Sequence, residues 1–188
     1  LTRALYKNPA QVEKTVRFAT RVIQKFYEPL LAERIVPLVS IADTIAGDHL
    51  SRAHFAQFVL PSLQELIGWA KAQDALVLLH ICGALKDKLD VLVETGANCV
   101  SLDSRVDLKR AKELFAGRVC IAGNLDPVNV LDRLTAKEVE AAARECLLAG
   151  AGGGFVLMPG CDLPPTVSLD NVRAMLRAAE MWQYQIAK

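Results

Sequence analysis

Apolar and polar positions trade places along this chain in two rhythms. Mostly apolar runs of a few residues fall at 35–42, 75–81, 99–102, 119–122 and 154–158, and read as strands apolar on both faces. Strands of that kind belong inside parallel sheets. Between them the apolar positions recur at three- and four-residue steps. Over 9–31 these are Val12, Val16, Ala19, Val22, Ile23 and Phe26, with Glu13, Lys14, Arg17 and Lys25 interleaved, so one face should be buried and the other solvated. Ser51 can cap a second helix carrying Phe55, Phe58, Val59, Leu63, Leu66 and Ile67, which Pro61 should kink or split. Further helices are expected over 85–94, closed by Gly96, and over 107–115, ended by Gly117. Thr135 can cap 136–149, with Glu138 placed for a reciprocal capping box and Gly150 as the stop; Ser168 can cap a last helix reaching about Ile186.

Strand and helix alternating five times with short connections predict a parallel α/β architecture with right-handed crossovers. An open doubly wound sheet would place a glycine-rich phosphate turn directly after its first strand, and none stands there. The alternative is a (β/α)₈ barrel. A complete one needs eight strands and typically about 250 residues, so five βα units in 188 residues are expected to be the C-terminal portion of a barrel, one domain over 1–188, with about three N-terminal strands absent. The start at Leu1, without an initiator Met, agrees with that expectation. Such a portion leaves strand edges uncovered and should need a second chain or a second copy.

Composition narrows the function. The chain is 52% hydrophobic and 23% charged, with a net charge of +1, and no Lys/Arg cluster is long enough to follow a phosphate backbone, so nucleic acid is not an expected partner. The longest apolar stretch, 75–79, ends at His80 and is far short of the ~20 residues of a membrane helix. A soluble protein is expected. Five cysteines, an odd number with no C-x-x-C pair, argue against a disulfide framework and for a reducing, cytoplasmic setting.

The informative residues are His80, Cys82 and Cys161. His80 and Cys82 stand two apart at the C-terminal end of the 75–81 strand, where alternation sends both side chains to one face. Cys161 directly follows the 154–158 strand, again at a C-terminal strand end, the edge on which parallel α/β folds build active sites. One imidazole and two thiolates suit zinc, and three protein ligands leave a position open, as in a catalytic site. Spacing leaves the bland reading open as well, since buried cysteines and a lone strand histidine are ordinary core residues.

Leu79-His80-Ile81-Cys82-Gly83, Gly123-Asn124-Leu125-Asp126-Pro127 and Met158-Pro159-Gly160-Cys161-Asp162-Leu163-Pro164-Pro165 resemble the uroporphyrinogen decarboxylase superfamily, and within it the zinc-dependent methylcobamide:coenzyme M methyltransferase branch. Ile41-Ala42-Asp43, Ser51-Arg52-Ala53-His54-Phe55, Phe58 and Pro61 are similar too. The resemblance implies a (β/α)₈ barrel with His80, Cys82 and Cys161 on Zn²⁺, a small thiol such as coenzyme M as acceptor, and a methylcorrinoid carried by a partner corrinoid protein as donor. Asp103, at the end of the 99–102 strand, reads as a displaceable fourth ligand or a partner that orients His80, or as a solvated loop residue. Asn124 and Asp126 can contact corrinoid or substrate; Asp126 before Pro127 is equally a turn former, and Asp43 carries the same two readings. The 150–154 glycine cluster precedes a strand, which makes it a helix stop and turn rather than a phosphate cradle. His49 and His54 read as surface residues, and Cys99, Cys120, Cys146, Trp69 and Trp182 as packing residues. Two rival functions stay open: a metal-free tetrapyrrole decarboxylase, and a catalytically silent fragment that binds a corrinoid or a partner subunit.

Overall fold

The computed structural model describes residues 2–85 and 87–186. The chain runs α1 (Thr2–Lys7), α2 (Pro9–Ala32), β1 (Leu38–Asp43), α3 (Ala46–His49), α4 (Arg52–His54), a π-helical turn (Phe55–Val59) and α5 (Leu60–Lys71). It continues through β2 (Leu76–Ile81), α6 (Leu89–Leu92), a 3₁₀ turn (Val93–Thr95), β3 (Cys99–Leu102), α7 (Leu108–Phe115), β4 (Cys120–Leu125), α8 (Ala136–Gly150), β5 (Phe155–Pro159) and α9 (Leu169–Ile186). The strands are hydrogen-bonded in chain order, β1-β2-β3-β4-β5. β1 pairs parallel to β2 with Ala42 opposite His80, and β4 pairs parallel to β5 with Asn124 opposite Met158. The fold class is therefore the parallel α/β arrangement expected from the alternation of strand and helix. No helix among the described residues is long and apolar enough to cross a membrane.

Local chemistry explains most boundaries. Asn8 caps α2 by accepting from the Gln11 amide, with Pro9 in the first turn, where its missing N–H costs nothing. Ser51 caps α4, and the expected split near Pro61 takes the form of the π turn, in which the Leu60 amide reaches back to the Phe55 carbonyl just ahead of the proline. Thr135 and Glu138 form the reciprocal box, Asp107 accepts from the Arg110 amide, and Ser168 accepts from the Asn171 amide.

Two expectations need correction. On α2 the buried residues are Val12, Thr20 and Leu31, whereas Val22 is 50% and Phe26 68% exposed. Steps of three and four align Val12, Val16, Thr20 and Leu31 as well as they align the more apolar set, and Thr20 satisfies its hydroxyl on the Val16 carbonyl. Packing against α5 and the π turn takes that stripe. The helix expected over 85–94 begins only at Leu89, because Leu85 adopts φ +49°, outside the helical region; residue 86 lies outside the described residues.

The chain divides into two compact units, Leu1–Val100 and Ser101–Lys188, the division falling within β3. In the first, Val39, Phe55, Ile67, Val77, Leu79, Ile81, Leu85 and Leu92 are fully buried. In the second, Leu131, Val139, Ala143 and Leu147 pack with Ala174, Met175 and Ala178. Removing one large apolar side chain from water stabilises such a core by about 1.5–3 kcal/mol. Asn171, buried beside it, donates to the Leu131 and Leu134 carbonyls, both at 2.8 Å.

Candidate metal centre

β2 is the clearest case of alternation in the chain. Val77, Leu79 and Ile81 are fully buried on one face, while Leu78 and His80 are half-buried on the other and Cys82 follows in the same phase. His80 and Cys82 are thus delivered side by side by a strand whose opposite face is anchored in the core. The His80 Nε2 atom lies 3.2 Å from the Cys82 Sγ. The Cys82 amide donates to the Asp43 carbonyl at 2.9 Å, continuing the β1–β2 ladder one residue past the strand. Asp43 itself accepts from the Ile45 and Ala46 amides, both at 2.8 Å, which is the turn-forming role among its two readings.

The second unit gathers the other candidates at the C-terminal ends of its strands. Cys161 is half-buried just past β5, in the turn where the Gly160 amide donates to the Leu125 carbonyl at 2.7 Å. A Cβ on Gly160 would meet the Ser104 amide nitrogen at 2.4 Å, so only glycine lets this turn lie against the loop that follows Asp103. Asp103 is buried, 6% exposed, and not solvated. Its Oδ1 accepts from the Arg105 amide and Nε and its Oδ2 from Arg105 Nη2, each at 3.0 Å, a two-pronged ion pair. Asn124 donates its side-chain amide to the Asp103 carbonyl at 3.1 Å and to the Val106 carbonyl at 2.8 Å. Asp126 accepts from the Val128 and Asn129 amides and from the Asn129 side chain. Burial pushes the Asp126 carboxyl up, but those hydrogen bonds outweigh it and hold the group below its ordinary value.

Among the remaining cysteines and histidines, Cys146 and His49 follow the bland readings, whereas His54, read as a surface residue, is half-buried between aromatic neighbours. Burial pushes the Cys146 thiol up, against a hydrogen bond from the Asn124 amide at 3.4 Å, which leaves it a packing residue. His54 lies edge-on to Tyr6 with ring centroids 4.8 Å apart, and His49 is exposed. The 150–154 glycines form the turn between α8 and β5, where the Gly153 carbonyl accepts from Lys112. None of the five cysteines is in a disulfide among the described residues.

Sequence reasoning missed Arg105, Asp48 and the group around Lys88. Arg105 had a local signal, an arginine two residues after an acid at a strand end. Asp48 accepts from the Ala84 amide across 36 residues of chain, and no short-range pattern announces such a contact. Lys88 is 3% exposed and donates to the Leu50 carbonyl and to Asp87, while Arg52 pairs with Asp90, so this group ties the segment after β1 to the segment after β2.

A family model described as uroporphyrinogen decarboxylase (URO-D) matches residues 1–182. The chain belongs to that family. It is 33% identical over 159 residues to the methylcobamide:CoM methyltransferase MtbA of Methanosarcina mazei, a match covering 84% of this chain and 46% of that protein. It is 27% identical to the methylcobamide:CoM methyltransferase MtaA of Methanosarcina barkeri, over 82% of this chain and 44% of that one. Against a uroporphyrinogen decarboxylase of Chlorobium luteolum the identity is 25%, over 93% and 50%. Among solved structures, a methyltransferase from Methanosarcina mazei superimposes with a TM-score of 0.85 at 27% identity, covering 96% of this chain and 52% of that one. The fold expected from the motifs is therefore the fold present, and the chain spans about half the length of the relatives it matches.

Proposed function

We propose that this chain carries the metal centre of a zinc-dependent methyltransferase that moves a methyl group from a methylated corrinoid protein to a small thiol such as coenzyme M, with His80, Cys82 and Cys161 as ligands. The observation that carries the reading is the 3.2 Å approach of His80 Nε2 to Cys82 Sγ at the end of β2. An imidazole nitrogen and a cysteine sulfur set side by side are donors that suit zinc. The set of one histidine and two cysteines is one that could hold a metal ion. The relatives named methylcobamide:CoM methyltransferases support the donor and acceptor classes.

Zinc held by these donors would favour the thiolate of a bound acceptor over its thiol at neutral pH. The acceptor sulfur would take the methyl group with its own lone pair, the electron pair of the broken donor bond would stay with the corrinoid, and the thiol proton would go to solvent. His80 on β2 and Cys82 just past its end would supply donors from a backbone already tied to β1. Asp103 is proposed to orient His80 or to act as a displaceable ligand, its carboxylate already aimed by Arg105. Asn124 and Asp126 shape the loop wall on which the corrinoid or the acceptor rests. The whole chain is taken as one functional domain working in the cytoplasm with a corrinoid protein, and with a complementing chain or a second copy.

Metal analysis tests this. The purified chain should carry about one zinc, and Cys82→Ala and Cys161→Ala should each carry almost none; unchanged metal in the variants removes the assignment. A metal-free chain that decarboxylates a tetrapyrrole at a normal rate would favour the other activity of the family. Zinc bound with no methyl transfer to coenzyme M, even with a methylated corrinoid protein, would mark a binding fragment.

A further inference from the structure

Cys82 is held from three sides, and one of the holding groups has no role in the reading above. Its amide is bonded to the Asp43 carbonyl. Its carbonyl lies against Gly47 of α3 so closely that a Cβ there would stand 1.8 Å from the oxygen and 2.8 Å from the carbonyl carbon. The residue after it, Gly83, takes φ +112°, and a Cβ at that position would meet the Asp48 amide nitrogen and carboxyl carbon at 2.9 Å. The Ala84 amide then donates to Asp48 Oδ1 at 3.0 Å. α3 is in turn set by Asp43, whose carboxylate receives the Ile45 and Ala46 amides.

These contacts make a relay within one unit: the end of β1 caps α3, and α3 lays Gly47 and Asp48 on the backbone that carries Cys82. We infer that Asp48 is a positioning residue for the Cys82 thiolate, acting through the Gly83–Ala84 turn and not by contact with metal or substrate. This deepens the zinc reading and rests on it for its functional meaning. The chemical reason is directional. A cysteine just past the end of a strand can rotate its backbone and swing Sγ away, and here its own amide and the amide of Ala84, two residues on, are both hydrogen-bonded to the same β1–α3 segment. A carboxylate accepting an amide hydrogen bond makes a stronger and shorter tether than a neutral acceptor, yet an amide side chain keeps the same acceptor atom in the same place.

The test uses the full chain with Asp48→Ala, Asp48→Asn and Gly47→Ala. Asp48 is exposed, so its variants are expected to fold, which circular dichroism checks. The first readout needs no metal: amide hydrogen exchange at Ala84 in the zinc-free chain should quicken on the order of tenfold in Asp48→Ala and in Gly47→Ala, and stay within a few-fold of the parent in Asp48→Asn. The second is zinc affinity by competition with a chelator, expected to fall about 10- to 100-fold in the same two variants and to be largely kept by Asp48→Asn. Unchanged Ala84 exchange in Asp48→Ala overturns the inference. So does an Asp48→Asn variant as impaired as Asp48→Ala, because the acceptor atom would then not be what matters. A parent chain that binds no zinc sinks the metal reading alone, and the exchange measurement still decides whether Asp48 holds the turn.

Discussion

The end of β2 and the ends of β3 and β4 carry the polar residues first singled out here, and they treat them in opposite ways. At the end of β2 the side chains of His80 and Cys82 face one another at 3.2 Å, and it is the backbone around them that is tied down. At the ends of β3 and β4 the side chains themselves engage their loops: Asp103 pairs with Arg105, Asn124 donates to two loop carbonyls, and Asp126 accepts from two amides and from the Asn129 side chain. The first arrangement sets two donor atoms side by side. The second closes its own loops. A polar residue at a C-terminal strand end is thus a ligand candidate when the fold holds its backbone, and a scaffold when its own side chain closes the loop.

That contrast can be broken in four ways, from the largest expected effect down. Leu79→Ala empties a fully buried site on the face of β2 opposite His80; it should cost about 2–5 kcal/mol in a denaturant titration, and a much smaller loss would mean the strand is not anchored from that face. Asp103→Ala removes a buried carboxylate with three hydrogen bonds from Arg105 and should cost about 1.5–3 kcal/mol, whereas His80→Ala in the zinc-free chain should cost under about 1 kcal/mol. Equal losses would erase the distinction between scaffold and donor. Asn124→Ala should follow, at roughly 1–2 kcal/mol for its two loop hydrogen bonds, read from the same titrations.

The smallest effect is a pH dependence in the first unit. The Arg52 side chain, through its hydrogen bonds, holds the Asp90 carboxyl below its ordinary value, and Lys88 does the same for Asp87. A carboxylate depressed in the folded state contributes stability that is complete above its unfolded pKa and disappears as pH falls through the folded one. Melting temperature should therefore decline as pH drops below about 4, and Asp90→Asn should flatten that decline. An unchanged acid limb in Asp90→Asn would mean the pair is too solvated to matter.

Much of this was legible from the chain alone. The five strands stand close to their expected positions because a run apolar on both faces has few other places to go. The caps at Ser51, Thr135 and Ser168 were legible because each depends on residues three apart. Where a competing periodicity existed, pattern was a poor guide: Phe26 and Val22 are the more apolar residues, yet α2 buries Thr20. The 85–94 helix was shortened by a left-handed Leu85, which no propensity scale would assign to leucine.

For the candidate site the division is similar. That His80 and Cys82 share a face follows from strand geometry, because a period of two leaves no freedom, and the motifs around them carried the family. Short-range rules also sufficed for the capping role of Asp43 and the turn at Asp126, whose hydrogen bonds close within three residues. The contacts of Asp48 with Ala84, of Arg52 with Asp90 and of Asn124 with the Val106 carbonyl were decided only when separate βα units packed. Local order is written in neighbouring residues because the backbone repeats every two or 3.6 positions. Contacts between loops depend on where whole elements come to rest, and that is set by the sum of many weak packing energies rather than by any short stretch of chain.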